Sequence, residues 1–532
     1  MIDDQALLAA LPQRIDAIPR AAAARMPAAP ALREGEAEGK RTLSYAALVA
    51  EVDRYADLLR ARGVRPGDRV LLVSENCIAQ VALIFAASSV GAWIVNLNPR
   101  LSAPEIDAIQ AHCGARLALY TAAVSVEAAA HAARAGALPF DGRDVLAAPL
   151  NEACVPEPID GDPAAGGPVA ALVYTTGTTG QPKGVMLSHR NLLFVAAVSS
   201  RLRGLVPQDR AWGVLPISHV YGLTSVLLGT LSAGACLQLA PRFTPAAMLR
   251  AICDDGLTIV QGVPAMYARL LELVAADTGT AAGAAAGAAA GSAAAVLRSR
   301  LRFAYAGGSP LDPDLKRRVE ALLGLPLHNG YGLSEAAPTV SQTRLDAPRS
   351  DTAVGQPIPG VAVRIVDKDG REVLEGDAGE LWVRGPNVMR GYYRAPLLTA
   401  AALRPGGWLN TGDMARLGSD GALFIVGRTK ELIIRSGFNV FPLEVETVLN
   451  AHPGVTQSAV VGKAALDGNE EVVAFVQPAP GWTGGVDELQ AWAAGRLAPY
   501  KRPGRIILMK ALPAAATGKI LKHALKEMAA EL

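Results

Sequence analysis

The chain has 532 residues, room for three or four folding units at roughly 150 residues each, which excludes a peptide, a fibre or a disulfide-stapled mini-protein. Fifty-one Lys and Arg against forty-nine Asp and Glu leave a formal charge of +2. That is too balanced for a dedicated nucleic-acid binder, which needs a basic footprint for phosphates, and a 51% hydrophobic share with 19% charged residues excludes disorder over most of the length.

Met1 to Gln13 carries two aspartates, a short apolar stretch and no basic leader, so no signal peptide is expected. The five cysteines, Cys77, Cys113, Cys154, Cys236 and Cys253, are odd in number and form no CxxC pair. No disulfide framework or zinc site is expected, and a reducing cytoplasmic location fits. From Leu43 onward, helical patterns alternate with short apolar runs: Arg69-Val-Leu-Leu-Val, Trp93-Ile-Val-Asn and Leu117-Ala-Leu-Tyr. This texture predicts an α/β fold, with parallel and mixed sheets covered by helices in a large N-terminal domain. Cys77 to Asn96 and Gly222 to Pro241 are free of charge. Each is broken by polar and turn residues, which predicts a buried helix running into a buried strand rather than an integral membrane span.

Residues 278–295 repeat Gly-Ala-Ala-Ala and read as a surface insertion. After Pro357 come short strands, with Asp367-Lys-Asp-Gly as a hairpin turn between Val361-Ala-Val-Arg-Ile-Val and Gly379-Glu-Leu-Trp-Val-Arg-Gly. This predicts a β-rich subdomain over about 357–426, closing an N-terminal domain of 1–427. Residues 428–430 read as a linker, and 431–532 as a small mobile α+β domain.

The segment Val169-Ala-Ala-Leu-Val-Tyr-Thr-Thr-Gly-Thr-Thr-Gly-Gln-Pro-Lys-Gly-Val runs from an apolar strand into a loop of glycines, threonines and one lysine. Read alone, it fits either a polar surface loop or an anion cradle in which backbone N–H groups, hydroxyls and Lys183 meet phosphate oxygens. No Gly-Lys-Ser/Thr follows, so it is not a Walker loop.

Tyr174 to Gly184 resembles the phosphate loop of the adenylate-forming superfamily of acyl-CoA synthetases, aryl-CoA ligases, peptide-synthetase adenylation domains and luciferases. Further segments resemble that family in the family's order: Pro216-Ile-Ser-His-Val-Tyr-Gly, Gly307-Gly-Ser-Pro-Leu, Gly330-Tyr-Gly-Leu-Ser-Glu, Thr411-Gly-Asp, Gly427-Arg-Thr-Lys, Arg435-Ser-Gly-Phe-Asn-Val and Thr517-Gly-Lys-Ile. The resemblance covers essentially the whole chain.

It implies ATP, Mg2+ and coenzyme A as reactants, and a role for each matching residue. Thr175, Thr176, Gly177, Thr178, Thr179, Gly180 and Lys183 would hold the β- and γ-phosphates. Ser334 would donate to the α-phosphate, and Glu335 with Thr178 would ligate magnesium. Adenine would lie between Tyr331 and the Gly308-Ser309-Pro310 backbone, beside Gly332. Asp413 would take the ribose hydroxyls, with Arg428 next to it. Lys519 would bridge carboxylate and α-phosphate where charge builds, as attack on an α-phosphorus requires. His219 would gate the acyl site, which Tyr221, Ala306, Gly307, Gly332 and Leu333 would line. Lys430 occupies the hinge position, where many relatives have aspartate, and Ser436, Gly437 and Phe438 would line the path of CoA.

Amino-acid-activating relatives place an aspartate where this chain has His219-Val220-Tyr221, and an ammonium buried there would be unpaired. A free-standing ligase without a carrier domain is expected, with CoA as acceptor. His219-Val-Tyr-Gly-Leu resembles hydroxycinnamate and aryl ligases, while Ile434-Arg-Ser-Gly-Phe-Asn-Val-Phe-Pro resembles fatty acyl-CoA synthetases. The expected substrate is therefore an aromatic or a medium- to long-chain aliphatic monocarboxylic acid. An acyl-AMP ligase with another acceptor, or a non-catalytic adenylate or CoA binder, stand as alternatives.

Overall fold

The protein is described by a computed structural model covering residues 8–35, 41–159, 167–176, 182–279, 294–435, 438–464, 470–514 and 520–532. The chain divides into two compact units. The first comprises Met1–Leu311, Leu315–Ala362 and Val383–Leu409, the second Asp312–Asp314, Val363–Trp382 and Asn410–Leu532.

Unbroken apolar runs become parallel strands buried on both faces, as the sequence texture predicts. Arg69–Val73 lies between Trp93–Leu97 and Leu117–Tyr120 in an eight-stranded sheet of the first unit. Next to Trp93–Leu97 comes Val169–Thr176, which turns back antiparallel as Pro182–Ser188 and ends on the edge strand Gly391–Tyr392. A second, nine-stranded sheet carries the parallel strands Cys236–Leu239, Arg210–Gly213, Ile259–Gly262, Phe303–Ala306 and Leu327–Gly332 in that spatial order.

Both charge-free stretches are helix followed by strand. Ile78–Val90 ends at Gly91 (φ +88°) and runs into Trp93–Leu97. The second differs from an ordinary buried helix: Tyr221–Leu228 is π-helical and continues as Gly229–Ser232 before the strand Cys236–Leu239. Gly222 within it packs so closely that a Cβ would lie 2.1 Å from the Pro216 carbonyl oxygen. Among the described residues, no helix is long and apolar enough to cross a membrane.

In the second unit the Asp367-Lys-Asp-Gly turn forms: Gly370 N–H donates to Asp367 O at 3.1 Å, and Asp367 N–H donates to Arg371 O at 2.8 Å. The strands Val455–Ala464, Glu470–Pro478 and Arg505–Leu508 make a three-stranded sheet. Its residues alternate between two cores. Val460, Val472 and Val476 pack with Val445, Leu449 and Leu489, whereas Val461, Val473 and Phe475 pack with Leu512, Leu525 and Ala529. Of the Ala/Gly-rich insertion, residues 280–293 lie outside the described residues.

Candidate active site

The Gly/Thr segment is a β-hairpin whose register sets Thr175 opposite Lys183 and Tyr174 opposite Gly184. Residues directly opposite on antiparallel strands share a face of the sheet, so the Thr175 hydroxyl and the Lys183 ammonium belong to one side of the hairpin neck. Thr176 ends the strand, and Gly177, Thr178, Thr179 and Gly180 lie outside the described residues. Lys183 Nζ is 5.9 Å from the centroid of the Tyr392 ring, and Tyr392 Oη donates to Glu335 Oε1 at 2.8 Å. The loop lysine and the acid of the Gly-Tyr-Gly-Leu-Ser-Glu segment are thus joined through one tyrosine. Burial and the neighbouring carboxylate push the Tyr392 hydroxyl far above its ordinary value, so it remains a donor.

Tyr392 is positioned by a helix cap. Ser188 and Asn191 form a reciprocal capping box at the start of the helix His189–Leu202. The Asn191 amide then donates to Pro386 O at 2.7 Å and Val388 O at 2.9 Å, fixing the segment that leads to Tyr392.

Neighbouring parallel strands Phe303–Ala306 and Leu327–Gly332 pair Ala306 with Asn329, so their C-terminal ends bring Gly307–Pro310 and Tyr331–Glu335 side by side. That edge of an open parallel sheet is where ligand crevices form. Gly308 has φ +82°, and Gly308, Ser309 and Pro310 are exposed. Gly332 must be glycine, because a Cβ there would lie 2.3 Å from Pro338 O. Leu333 N–H donates to that same carbonyl at 3.0 Å. Ser334 and Glu335 follow in the 3-10 turn Ser334–Ala336. For a cation, Glu335 is a hard oxygen donor whose Oε2 meets no partner among the described residues, which fits magnesium.

His219 is exposed, and its Nδ1 accepts the Tyr221 backbone N–H at 3.3 Å. Tyr221 is buried and packs edge-on against Tyr305, with ring centroids 6.3 Å apart. Ala306 is fully buried, and Gly307 faces both tyrosines: a Cβ on it would meet the Cε1 of each at 3.3 Å.

In the second unit, Asp413 and Arg428 are partners across antiparallel strands, with Arg428 Nε 3.2 Å from Asp413 Oδ1. Thr411 holds the Asp413 backbone, accepting its N–H at 3.1 Å while donating to Leu381 O at 2.8 Å. Lys430 is exposed in the 3-10 turn Thr429–Glu431. Phe438 is exposed and stacks on Tyr500, with centroids 4.5 Å apart. Ser436, Gly437 and Lys519 lie outside the described residues.

Residues 19–393 match the family described as AMP-binding enzyme, and residues 444–519 match the AMP-binding enzyme C-terminal domain. The chain belongs to the AMP-binding enzyme family. It is 38% identical over 487 residues to a feruloyl-CoA synthase of an Amycolatopsis species, covering 91% of this chain and 93% of that one. It is 33% identical over 505 residues to an indoleacetate–CoA ligase of Aromatoleum aromaticum, covering 92% and 94%. Among solved structures, ATP-bound MatB from Rhodopseudomonas palustris superposes with a TM-score of 0.81 at 30% identity, covering 97% of this chain and 99% of that chain.

This AMP-binding enzyme falls in the acyl- and aryl-CoA ligase branch and is an ATP-dependent acid–CoA ligase, forming acyl-CoA, AMP and diphosphate. Two residues of its candidate site escape sequence reasoning: Tyr392 and Asn191. The signal available for Tyr392 is the pair Tyr392-Tyr393 between Arg390 and Arg394, which reads as ordinary core or surface aromatics. Asn191 reads only as a helix-start residue.

Proposed function

We propose that the acid this ligase activates is an aromatic monocarboxylate of the arylpropenoate or arylacetate kind. The observation that carries this is the wall formed by Gly307 against the Tyr221 and Tyr305 rings. Gly307 packs directly on the edges of both rings, where a Cβ would be crowded at 3.3 Å, so the three residues make one continuous aromatic wall against which a flat ring can pack. The names of the feruloyl and indoleacetate relatives agree with it.

In this reading the carboxylate oxygen attacks the α-phosphorus of ATP, diphosphate leaves, and the CoA thiol then displaces AMP. Thr175 and Lys183 at the hairpin neck hold the outer phosphates with residues 176–180, Ser334 donates to the α-phosphate, and Lys519 bridges it to the incoming carboxylate. Tyr331 and Gly308–Pro310 flank adenine, while Asp413, steadied by Arg428, takes the ribose hydroxyls. Glu335 with Thr178 would hold magnesium, which when bound neutralises phosphate charge. His219 stands at the entrance to the acyl site. Lys430 is the hinge, and Ser436, Gly437 and Phe438 line the CoA path. The reaction takes place in the cytoplasm.

The test is incubation with ATP, Mg2+ and a panel of cinnamic, benzoic, arylacetic and fatty acids, with and without CoA, read by mass spectrometry. Acyl-CoA from the aromatic acids is the expected product. Turnover of fatty acids alone overturns the aromatic reading, and acyl-AMP that persists with CoA present overturns CoA as acceptor.

A further inference from the structure

We infer that Arg203 and Gln261, together with the Tyr221 hydroxyl, recognise a hydrogen-bond-accepting oxygen at the far end of the acid, so that ring-oxygenated aromatic acids are preferred over unsubstituted ones. The inference rests on the aromatic reading above and adds the chemistry of the pocket's inner end.

Arg203 follows the helix His189–Leu202 and is 1% exposed. Its guanidinium carbon lies 4.5 Å from the centroid of the Tyr305 ring, on which Tyr221 packs in turn. Its Nη1 donates to Gln261 Oε1 at 2.6 Å. It makes no ion pair within the described residues, and its Nε meets no acceptor there. Gln261, also 1% exposed, has its Nε2 unpartnered, and so does the Oη of buried Tyr221.

Arg69 shows what a purely structural buried arginine looks like in the same unit. It too is 1% exposed, yet its guanidinium is capped by the carbonyls of Gly67, Cys113, Gly114 and Val155. Arg203 has no such carbonyl cap; its side-chain partners are the Gln261 amide oxygen and the Tyr305 hydroxyl. Buried donors without acceptors are costly in a folded protein; among the described residues the Nε atoms of Arg14, Arg33 and Arg210 lack a hydrogen-bond partner too, so it is the grouping at Arg203 that carries the inference. The three donors here, grouped about the two tyrosines that face Gly307 and accompanied by a cation without a carboxylate, make a region rich in donors and poor in acceptors. A phenol or methoxy oxygen on the substrate supplies the missing acceptor. An alkyl chain or bare ring leaves it missing, and a site built to hydrogen-bond a substrate discriminates strongly against analogues that lack the partner.

The experiment compares kcat/KM of the wild-type protein, Arg203→Met, Arg203→Lys and Gln261→Met on cinnamate, 4-hydroxycinnamate and 4-hydroxy-3-methoxycinnamate, with circular dichroism and melting as checks of folding. Wild type is expected to prefer the oxygenated acids, and Arg203→Met to reduce that preference by about 10-fold or more. Arg203→Lys should retain part of it, and Gln261→Met should lower it while keeping the buried cation. A preference unchanged in Arg203→Met, or absent in wild type while aromatic acids are turned over, overturns the inference and leaves the aromatic reading standing. If Arg203→Met does not fold, Gln261→Met decides: an unchanged preference there overturns the inference. No turnover of any aromatic acid by wild type defeats the aromatic reading itself.

Discussion

The hydroxyl of Tyr392 lies 2.8 Å from the Glu335 carboxylate, and its ring lies 5.9 Å from the ammonium of Lys183 in the phosphate hairpin. Removing the hydroxyl leaves the ring, and therefore the packing, in place but frees Glu335 to rotate. Tyr392→Phe is accordingly expected to raise KM for ATP by about 3- to 10-fold, the scale of one hydrogen bond to a charged group, with little change in melting temperature. Diphosphate exchange measured against ATP concentration checks this; an unchanged KM means that Glu335 is held by other contacts. Lys519→Ala acts on the reaction itself. Loss of a cation where transition-state charge develops predicts a fall of ~10²-fold or more in adenylate formation, read by the same exchange assay, with ATP binding largely kept. The contrast between the two residues explains what sequence can reveal. Lys519 stands in a Thr-Gly-Lys-Ile sequence that announces itself by resemblance. The importance of Tyr392 arises from a strand pairing, Gly391–Tyr392 against Met186 and Val185, that joins residues about two hundred positions apart.

Among the elements, the helix His189–Leu202 does more than its sequence suggests. Ser188 and Asn191 close its first turn, and the Asn191 amide satisfies two carbonyls of the segment before Tyr392. Asn191→Ala removes half the capping box and leaves two carbonyls without their donor. The expected loss is about 3 kcal/mol, summed from a cap and an unsatisfied buried group. Urea unfolding should show it in the first unit's transition, and a loss under about 1 kcal/mol would mean that water replaces the amide. Legibility at this scale follows periodicity. The buried strands at Arg69, Trp93 and Leu117 are readable because both faces are apolar, and the turn at Asp367 because Asp and Gly dictate its geometry. The π-helical turns at Tyr221–Leu228 are not readable, since the stretch is apolar on every side and carries no phase. The same holds for the donor-rich group of Arg203 and Gln261: each looks like an isolated polar residue until parallel strands and a helix end bring them together.

For the molecule as a whole, acid is expected to destabilise the first unit, because His189 and His328 are deeply buried in it. His189 is 1% exposed and accepts the Ile15 N–H at 3.3 Å; burial, helped by Arg14, lowers it from an ordinary 6.5 to about 3. His328 is 5% exposed and stacked on Phe303; burial first, then Lys316 and Arg203 outweighing Glu320, lower it to about 4. Both stay neutral in the folded protein while the unfolded chain takes up their protons, so folding stability is complete above pH 6.5 and falls as pH drops from there toward 4 and 3. By linkage, each histidine costs the first unit about 2 kcal/mol at pH 5 relative to pH 7. Carboxylates with lowered values, such as Asp209 held by Arg302 against its own desolvation, add to the loss only nearer the ordinary carboxylate range. Calorimetry between pH 7 and 5 should therefore show the first unit's transition moving to lower temperature. In His189→Gln, which cannot take up a proton in either state, the slope of that transition with pH should shrink by about half. A slope that the substitution leaves unchanged would show that other groups carry the acid sensitivity.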